Sequence, residues 1–335
     1  GIGRYTYELV KHLGSEPRIT DIRFFNMGRW QESTEFTRFE NKNTDAASDP
    51  EVKINLFGHL RKSLANVKLA TKVYSIITPL IYARRLKPFS TDYIYHSPNF
   101  MLPPYPGKKV ATFHDLSIFK YPEFHPEARV SFLLPEITRA ARQADHIITD
   151  SEAVRQEVIE FFSRSEEEVT TVPLASTLPE NSPDPMLRDR FLRQHKLRHR
   201  QFFLFVSSIE PRKNIGRLLD AYESLEPGFR RKYPLVLTGS SGWKSEEITA
   251  RIRKMEDSGE VRYLGYTNDT ELTCLYSAAG ALVFPSVYEG FGLPIIEAQA
   301  MRVPVITSNV SCMPEVAGGA ALLVDPHDTG SISGA

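Results

Sequence analysis

Glu289 and Glu297 stand eight residues apart and bracket the run Gly290-Phe291-Gly292-Leu293-Pro294. Carboxylates accept hydrogen bonds from hydroxyl groups, so such a pair can hold two sugars of one ligand. The residues before them, Phe284 to Tyr288, carry a strand into a glycine-punctuated loop. Pro294 suits the first turn of a helix that begins near Leu293. The N–H groups of that turn, with those of Gly290 to Leu293, form an anion site of the size of a diphosphate. The missing side chains at Gly290 and Gly292 let a ligand reach the backbone. Taken alone, Glu289 also reads as a solvated loop acid, and Glu297 as an early-turn acid favoured by the helix dipole. The whole constellation is more specific than either glutamate.

A second cluster is Ser207-Ser208-Ile209-Glu210-Pro211-Arg212-Lys213-Asn214, at the end of a strand. Two adjacent cations at a strand–helix turn can neutralise a departing diphosphate. The plainer alternative, a solvated Arg-Lys pair, is outweighed by the position after a strand. In the N-terminal half, His114-Asp115 follows the strand Lys109 to Phe113. An imidazole there can hold a sugar hydroxyl or steady positive charge; the alternative is a buried, satisfied histidine. Gly1-Ile2-Gly3-Arg4 reads as a glycine turn at a helix start. His96 is a weaker candidate for a cleft wall, and Asp150-Ser151-Glu152 reads as a helix cap. The sequence has no Asp-x-Asp metal motif.

These residues need a scaffold that puts strand ends together. Helices are expected at Arg4 to Leu13, Pro135 to Gln143, after a Ser151 cap, and at Ile215 to Leu225. Strands are expected at Ile22 to Phe25, Tyr93 to Tyr95, Lys109 to Phe113, His146 to Thr149 and Val169 to Val172. Further strands are expected at Phe202 to Val206, Leu235 to Gly239, Val261 to Leu264, Ala281 to Phe284 and Val303 to Thr307. Residues 28–50 read as irregular. Strands alternating with helices imply a doubly wound parallel sheet. Residues 175–200, rich in Pro, Asn, Asp, Arg and His, read as a linker between domains 1–175 and 176–335. Two such α/β halves create a cleft at the carboxyl ends of their strands.

The 335 residues suffice for two domains, and 41% hydrophobic with 24% charged residues is a globular mix. Zero formal net charge gives no support to nucleic-acid binding. Cys274 and Cys312 make no disulfide framework and fit a reduced cytoplasmic setting. No apolar run has the length of a membrane span. Between Val52 and Thr91 there is no Asp or Glu, but Lys53, Arg61, Lys62, Lys68, Lys72, Arg84, Arg85 and Lys87 occur among Leu64, Leu69, Val73, Ile76 and Ile77. That basic amphipathic stretch, 53–87, reads as a contact for an anionic membrane surface or as a basic helix pair packed on the core. The opening glycine turn has no strand before it, so the expected first strand lies upstream of this numbering.

Glu289 and Glu297 with their intervening Gly-Phe-Gly-Leu-Pro resemble the paired-glutamate motif of glycosyltransferase family 4. Glu210-Pro211-Arg212-Lys213-Asn214 is similar to a run in its bacterial mannosyltransferase-like members. Thr307-Ser308-Asn309, Met313 to Gly318 and Val324-Asp325-Pro326 resemble the segments that follow. The likeness spans nearly the whole chain and is strongest from Phe203 to Pro326.

The resemblance implies the GT-B fold, two Rossmann-like domains facing across a cleft, and a retaining hexosyltransferase. Glu289 would contact donor-sugar hydroxyls and Glu297 the nucleotide ribose. Arg212 and Lys213 would stabilise the diphosphate, and His114 would face the donor sugar. Gly3 would approach the donor phosphate, and Gly265-Tyr266 would lie near the base. The anion loop would comprise Gly290, Phe291, Gly292 and Leu293. The implied donor is GDP-mannose, with UDP-sugars as the alternative, and no metal or cofactor is needed. The implied acceptor is a saccharide or lipid-linked saccharide, handled in the cytoplasm or on the inner face of the membrane. A nucleotide-sugar epimerase of like architecture is one competing class; a catalytically silent binding subunit is the other, though Glu289, Glu297 and Lys213 are all present. Ser207 and Ser208 stand where many members have an arginine, so Arg212 inherits that part. Arg302 stands where many have glycine, and the family's C-terminal crossover helix would lie beyond Ala335.

Overall fold

The computed structural model describes residues 2–26, 29–31, 80–178 and 183–335. Strands β7 to β12 form one parallel sheet. They are Phe203–Val206, Leu235–Thr238, Val261–Tyr263, Ala281–Phe284, Val305–Ser308 and Leu322–Val324, lying side by side as β12-β11-β10-β7-β8-β9. Counted from β7 as the first strand, that is the doubly wound order 3-2-1-4-5-6, which reverses between β7 and β10. The chain therefore leaves the sheet in opposite directions at these two neighbours, and their following loops flank one crevice. These strands are short and almost wholly apolar, as a sheet covered on both faces requires. Leu204, Phe205, Val236, Leu237, Leu282 and Phe284 are buried at its centre.

In the N-terminal half, β3 (Tyr95–Ser97), β4 (Lys109–Phe113), β5 (His146–Thr149) and β6 (Val169–Thr171) lie in that order, β3 and β4 parallel. A small antiparallel pair, β1 (Phe24–Asn26) and β2 (Arg29–Gln31), precedes them. By packing, the chain divides into one unit of residues 1–112 with 139–147 and another of 113–138 with 148–335.

Several expected elements shift. The strand expected at Tyr93 to Tyr95 is Tyr95–Ser97, and residues 29–31 of the expected irregular stretch form β2. The helix expected from Pro135 begins at Glu127 and runs to Gln143 through that proline. The first helix is Ile2–Leu13, so Gly3 lies inside a helix rather than in a turn. The expected linker contains helix Pro185–Gln194, capped by the Asp184 side chain accepting from Met186 N, with Phe191 and Leu192 buried in the core. Its apolar anchor outweighs its polar composition.

Of the basic stretch, 53–79 lies outside the described residues. Residues 80–86 are helical, and Leu80, Ile81, Arg84, Arg85 and Lys87 are exposed. Among the described residues no helix is long and apolar enough to cross a membrane.

Candidate active site

The loop after β7 makes a 3-10 turn, Pro211–Lys213, and Asn214 then takes a left-handed conformation (φ 60°) before helix Ile215–Glu223. Asparagine tolerates this backbone better than most residues. Its Nδ2 donates to Pro285 O at 2.9 Å and Pro326 O at 2.7 Å. One side chain thus ties the loops after β7, β10 and β12.

The loop after β10 is buried from Pro285 to Phe291. Lys213 Nζ donates to Glu289 Oε1 at 2.6 Å, and Arg212 Nη1 donates to Glu289 Oε2 at 2.8 Å. Ser286 Oγ adds a bond to Oε1 at 2.7 Å. Arg212 also pairs with Glu210 at 3.1 Å and donates to Tyr288 O at 3.1 Å. Burial pushes the Glu289 carboxyl upward, but Lys213 and Arg212 overcome it and hold Glu289 below the usual carboxylate range. Burial disfavours the Arg212 charge, yet Glu289, Asp115 and Glu210 drive its value up. Asp115 is likewise pushed up by burial and pulled lower overall by Arg212 and by hydrogen bonds from Ser117. Burial pulls the Lys213 ammonium below its ordinary value, against the opposing pull of Glu289. The result is a buried cluster of two basic side chains and three carboxyl groups.

Gly292 is left-handed (φ 96°) and caps helix Leu293–Ala300. No described side chain caps that end, so its first-turn N–H groups offer an anion site at the mouth of β10. Glu297 is buried one turn further on, and its carboxylate accepts from Tyr276 OH at 2.8 Å. The structure thus joins Glu289, Arg212 and Lys213 directly, while Glu297 follows on the same strand–loop–helix segment with a separate partner.

His114 and Asp115 lie against this loop. A Cβ on Gly290 would sit 1.7 Å from His114 O, so only glycine permits the approach. Ser151 Oγ donates to Gly290 O at 2.7 Å, and Tyr288 OH accepts from Leu116 N at 3.0 Å and donates to Glu157 at 2.6 Å. His114 Nδ1 meets Asp150 Oδ2 at 2.6 Å. Burial raises the Asp150 carboxyl above its ordinary value, against the opposing pull of His114.

Gly265 (φ 66°) follows β9, and its carbonyl accepts from Gly239 N at 2.7 Å and Thr238 Oγ1 at 2.9 Å. Gly239 in turn presses on Ser207 O, so the loops after β7, β8 and β9 adjoin. The Tyr266 side chain is exposed. Gly3 belongs to the other packing unit, with open space where a Cβ would stand. Among the described residues no cluster of three His, Cys, Asp or Glu side chains could hold a metal ion. Cys274 and Cys312 are buried free thiols.

Sequence reasoning missed Asp150, Ser286, Asn214 and Tyr276. Asp150 shared with His114 one available signal, a polar residue directly after an apolar strand. Ser151 does cap the following helix by accepting from Val154 N, but it also holds Gly290.

The family model for Glycosyl transferases group 1 matches residues 188–335. O-antigen chain mannosyltransferase B of Escherichia coli is 38% identical over 99% of this chain and 85% of its own length. O-antigen chain mannosyltransferase RfbU of Salmonella typhimurium is 26% identical over 90% and 84%. WaaG, a glycosyltransferase involved in lipopolysaccharide biosynthesis, superposes with a TM-score of 0.61 at 17% identity over 77% of this chain and 71% of that one. Sucrose-phosphate synthase from Thermosynechococcus elongatus gives 0.60 at 24% identity over 77% and 67%. The expected GT-B fold class is thereby borne out.

Proposed function

Because the chain belongs to the group 1 glycosyl transferases, we propose that it transfers mannose from GDP-mannose to a saccharide or lipid-linked saccharide in surface polysaccharide biosynthesis, with retention at the anomeric carbon. The observation that carries this reading is the ion cluster of Lys213, Arg212 and Glu289 at the reversal point of the six-stranded sheet. The O-antigen relatives are mannosyltransferases, which favours mannose as the sugar.

The cluster suggests an exchange of partners. Before donor arrives, Glu289 neutralises both cations. A diphosphate takes Arg212 and Lys213 in its place, and Glu289 turns to the hydroxyls of the donor sugar. Glu297 holds the ribose, Gly265 and Tyr266 lie near the base, Gly3 approaches the phosphate, and His114 meets the sugar. Leaving-group charge is met by Arg212, Lys213 and the N–H groups at Leu293, without a metal or cofactor. The departing phosphate serves as base for the acceptor hydroxyl, which enters from the half formed by residues 1–175. The donor half is 176–335. Work at the inner face of the membrane, with 53–87 on anionic lipid, completes the reading.

A thermal-shift comparison of GDP-mannose, UDP-glucose and ADP-glucose tests the donor, since a ligand that binds only the folded state raises Tm. GDP-mannose should give the largest rise; a rise with UDP-glucose alone would replace it with the second donor class. Product NMR should show the donor's anomeric configuration, and EDTA should leave turnover unchanged. Conversion of the donor to an epimer without acceptor would instead favour an epimerase.

A further inference from the structure

We propose that Asp150 is a positioning residue that fixes the tautomer and orientation of the His114 imidazole toward the donor sugar. The inference rests on the placement of His114 at the donor given above.

The argument begins with the sheet. His114 directly follows β4 and Asp150 directly follows β5, and these strands are neighbours. Their next residues therefore emerge side by side at one sheet edge, whatever their separation of 36 residues in the chain. The Asp150 side chain is 3% exposed and that of His114 is 21% exposed. The imidazole is the accessible member of the pair, and the carboxylate stands behind it.

Hydrogen-bond accounting singles out the interaction. Asp150 Oδ2 lies 2.6 Å from His114 Nδ1. Asp150 Oδ1 is buried with no hydrogen-bond partner among the described residues. Leaving half a carboxylate unsatisfied in the interior costs stability. A helix cap needs no such aspartate here, because Ser151 performs that task. A buried carboxyl is costly where an apolar residue would not be, and among the described residues its hydrogen bond goes to the imidazole.

The consequence for His114 is chemical. A carboxylate accepting from Nδ1–H places the neutral ring's proton on Nδ1 and its lone pair on Nε2. Nε2 then accepts a hydrogen bond from a sugar hydroxyl, whereas the opposite tautomer would donate. The same contact stops the ring from flipping. Charged groups around the pair among the described residues include Asp115, next to His114 in the chain and acting on Asp150, and Arg212, which faces Asp115. The His114 carbonyl is separately pinned by Gly290. Backbone and ring are thus each held, the backbone by the donor loop and the ring by Asp150.

Nitrogen-15 NMR of the histidine-labelled protein at neutral pH, with the His114 signals assigned from their loss in His114→Ala, reads the tautomer without any assay of turnover. The expected result is Nδ1–H in the wild type and a change of tautomer in Asp150→Ala. An Nε2–H tautomer in the wild type, or one unaltered in Asp150→Ala, overturns the proposal. Kinetics with GDP-mannose and an octyl α-mannosyl disaccharide supply the second readout. Asp150→Asn should lower kcat by about tenfold or more while donor KM changes by less than about threefold. In a His114→Ala background, removing Asp150 should cost nothing further, because the pair acts as a unit. Independent, additive losses would sink the positioning role. Full turnover in His114→Ala would remove the donor-facing role of His114 itself, and the NMR result would still decide whether Asp150 sets the ring.

Discussion

Glu289 and Asp150 are both buried carboxylates in the loops at the carboxyl ends of strands, yet the protein treats them oppositely. Glu289 receives Lys213, Arg212 and the Ser286 hydroxyl, and its carboxyl is held low. Asp150 receives one imidazole nitrogen, keeps one oxygen unpartnered among the described residues, and is pushed high. Depth alone predicts the same fate for both, since burial is the first influence on each. The number and charge of the donors decide the outcome. Glu289 belongs to a cluster of opposite charges, whereas Asp150 faces a single imidazole.

The largest effect should come from stripping a donor from Glu289. Lys213→Met keeps the volume of the stem but leaves the glutamate short of its closest cation. Breaking a buried ion pair costs about 3–5 kcal/mol of stability, to be read by urea unfolding. Loss of one preorganised charge at the leaving group should also lower kcat by about 10²–10³. A variant with wild-type unfolding and turnover would show that Arg212 alone sustains the cluster, and the contrast with Asp150 would lose its basis.

The pH dependence of stability sharpens the contrast further. Glu289 is depressed in the folded state, so its contribution is present above the ordinary glutamate range and disappears as pH falls through its lower folded value. Asp150 is raised, so its contribution is present below the ordinary aspartate range and disappears as pH rises through its higher folded value. Glu289→Gln should therefore lose stability at neutral pH and flatten the acid-side decline. Asp150→Asn should gain stability at neutral pH relative to the wild type, even as it loses turnover. Unfolding free energies from about pH 2 to pH 8 check both signs, and parallel profiles for the two variants would refute the distinction.

The same pair shows why one half of the site was legible in the sequence and the other was not. The loops after β7 and β10 announce themselves locally, through Gly290, Gly292, Pro294 and the Arg212-Lys213 pair. Alternating strands and helices implied their parallel sheet, though not the strand order that brings β7 beside β10. The Asp150–His114 contact exists only through the adjacency of β4 and β5. A local reading of Asp150-Ser151-Glu152 as a cap already accounted for the residues, and correctly for Ser151. Helix Pro185–Gln194 was hidden by its composition, although Asp184 followed by Pro185 is a helix-start signal and Phe191 with Leu192 is an anchor. At the N-terminus the expected turn gave way to helix Ile2–Leu13, which contains Gly3.

A third carboxylate, Glu315, extends the comparison to the surface. It accepts from Glu152 N at 2.8 Å and Ala153 N at 3.1 Å, capping from a distance the helix that Ser151 begins. Because it is exposed, its charge matters less than its acceptor atoms. Glu315→Ala should cost about 0.5–2 kcal/mol in thermal unfolding, the range of a lost N-cap. Glu315→Gln, which retains an acceptor, should cost less. Equal losses would assign the effect to charge and bring Glu315 closer to Glu289 in kind.

The smallest effect is expected where no ionised partner enters at all. Arg302 stands where glycine is common in the family, and it is left-handed (φ 56°). Its N–H reaches Gln299 O and that of Val303 reaches Ala298 O, both at 2.9 Å, closing helix Leu293–Ala300. This is the Schellman pattern, with Arg302 at the position glycine ordinarily takes and the buried Val303 packed back toward Ala298. A Cβ in this conformation costs about 1–2 kcal/mol, and glycine's greater freedom in the unfolded chain returns about 0.4–1 kcal/mol of the gain. Arg302→Gly should therefore raise stability by somewhat under about 1 kcal/mol, and Arg302→Val, with a branched Cβ in the left-handed region, should lower it. Turnover should be unchanged in Arg302→Gly, because this exposed residue lies outside the ion cluster. A loss of stability in the glycine variant would mean that the arginine side chain, which lines a shallow cavity with Gln299 and Val316, contributes more than its backbone strain removes.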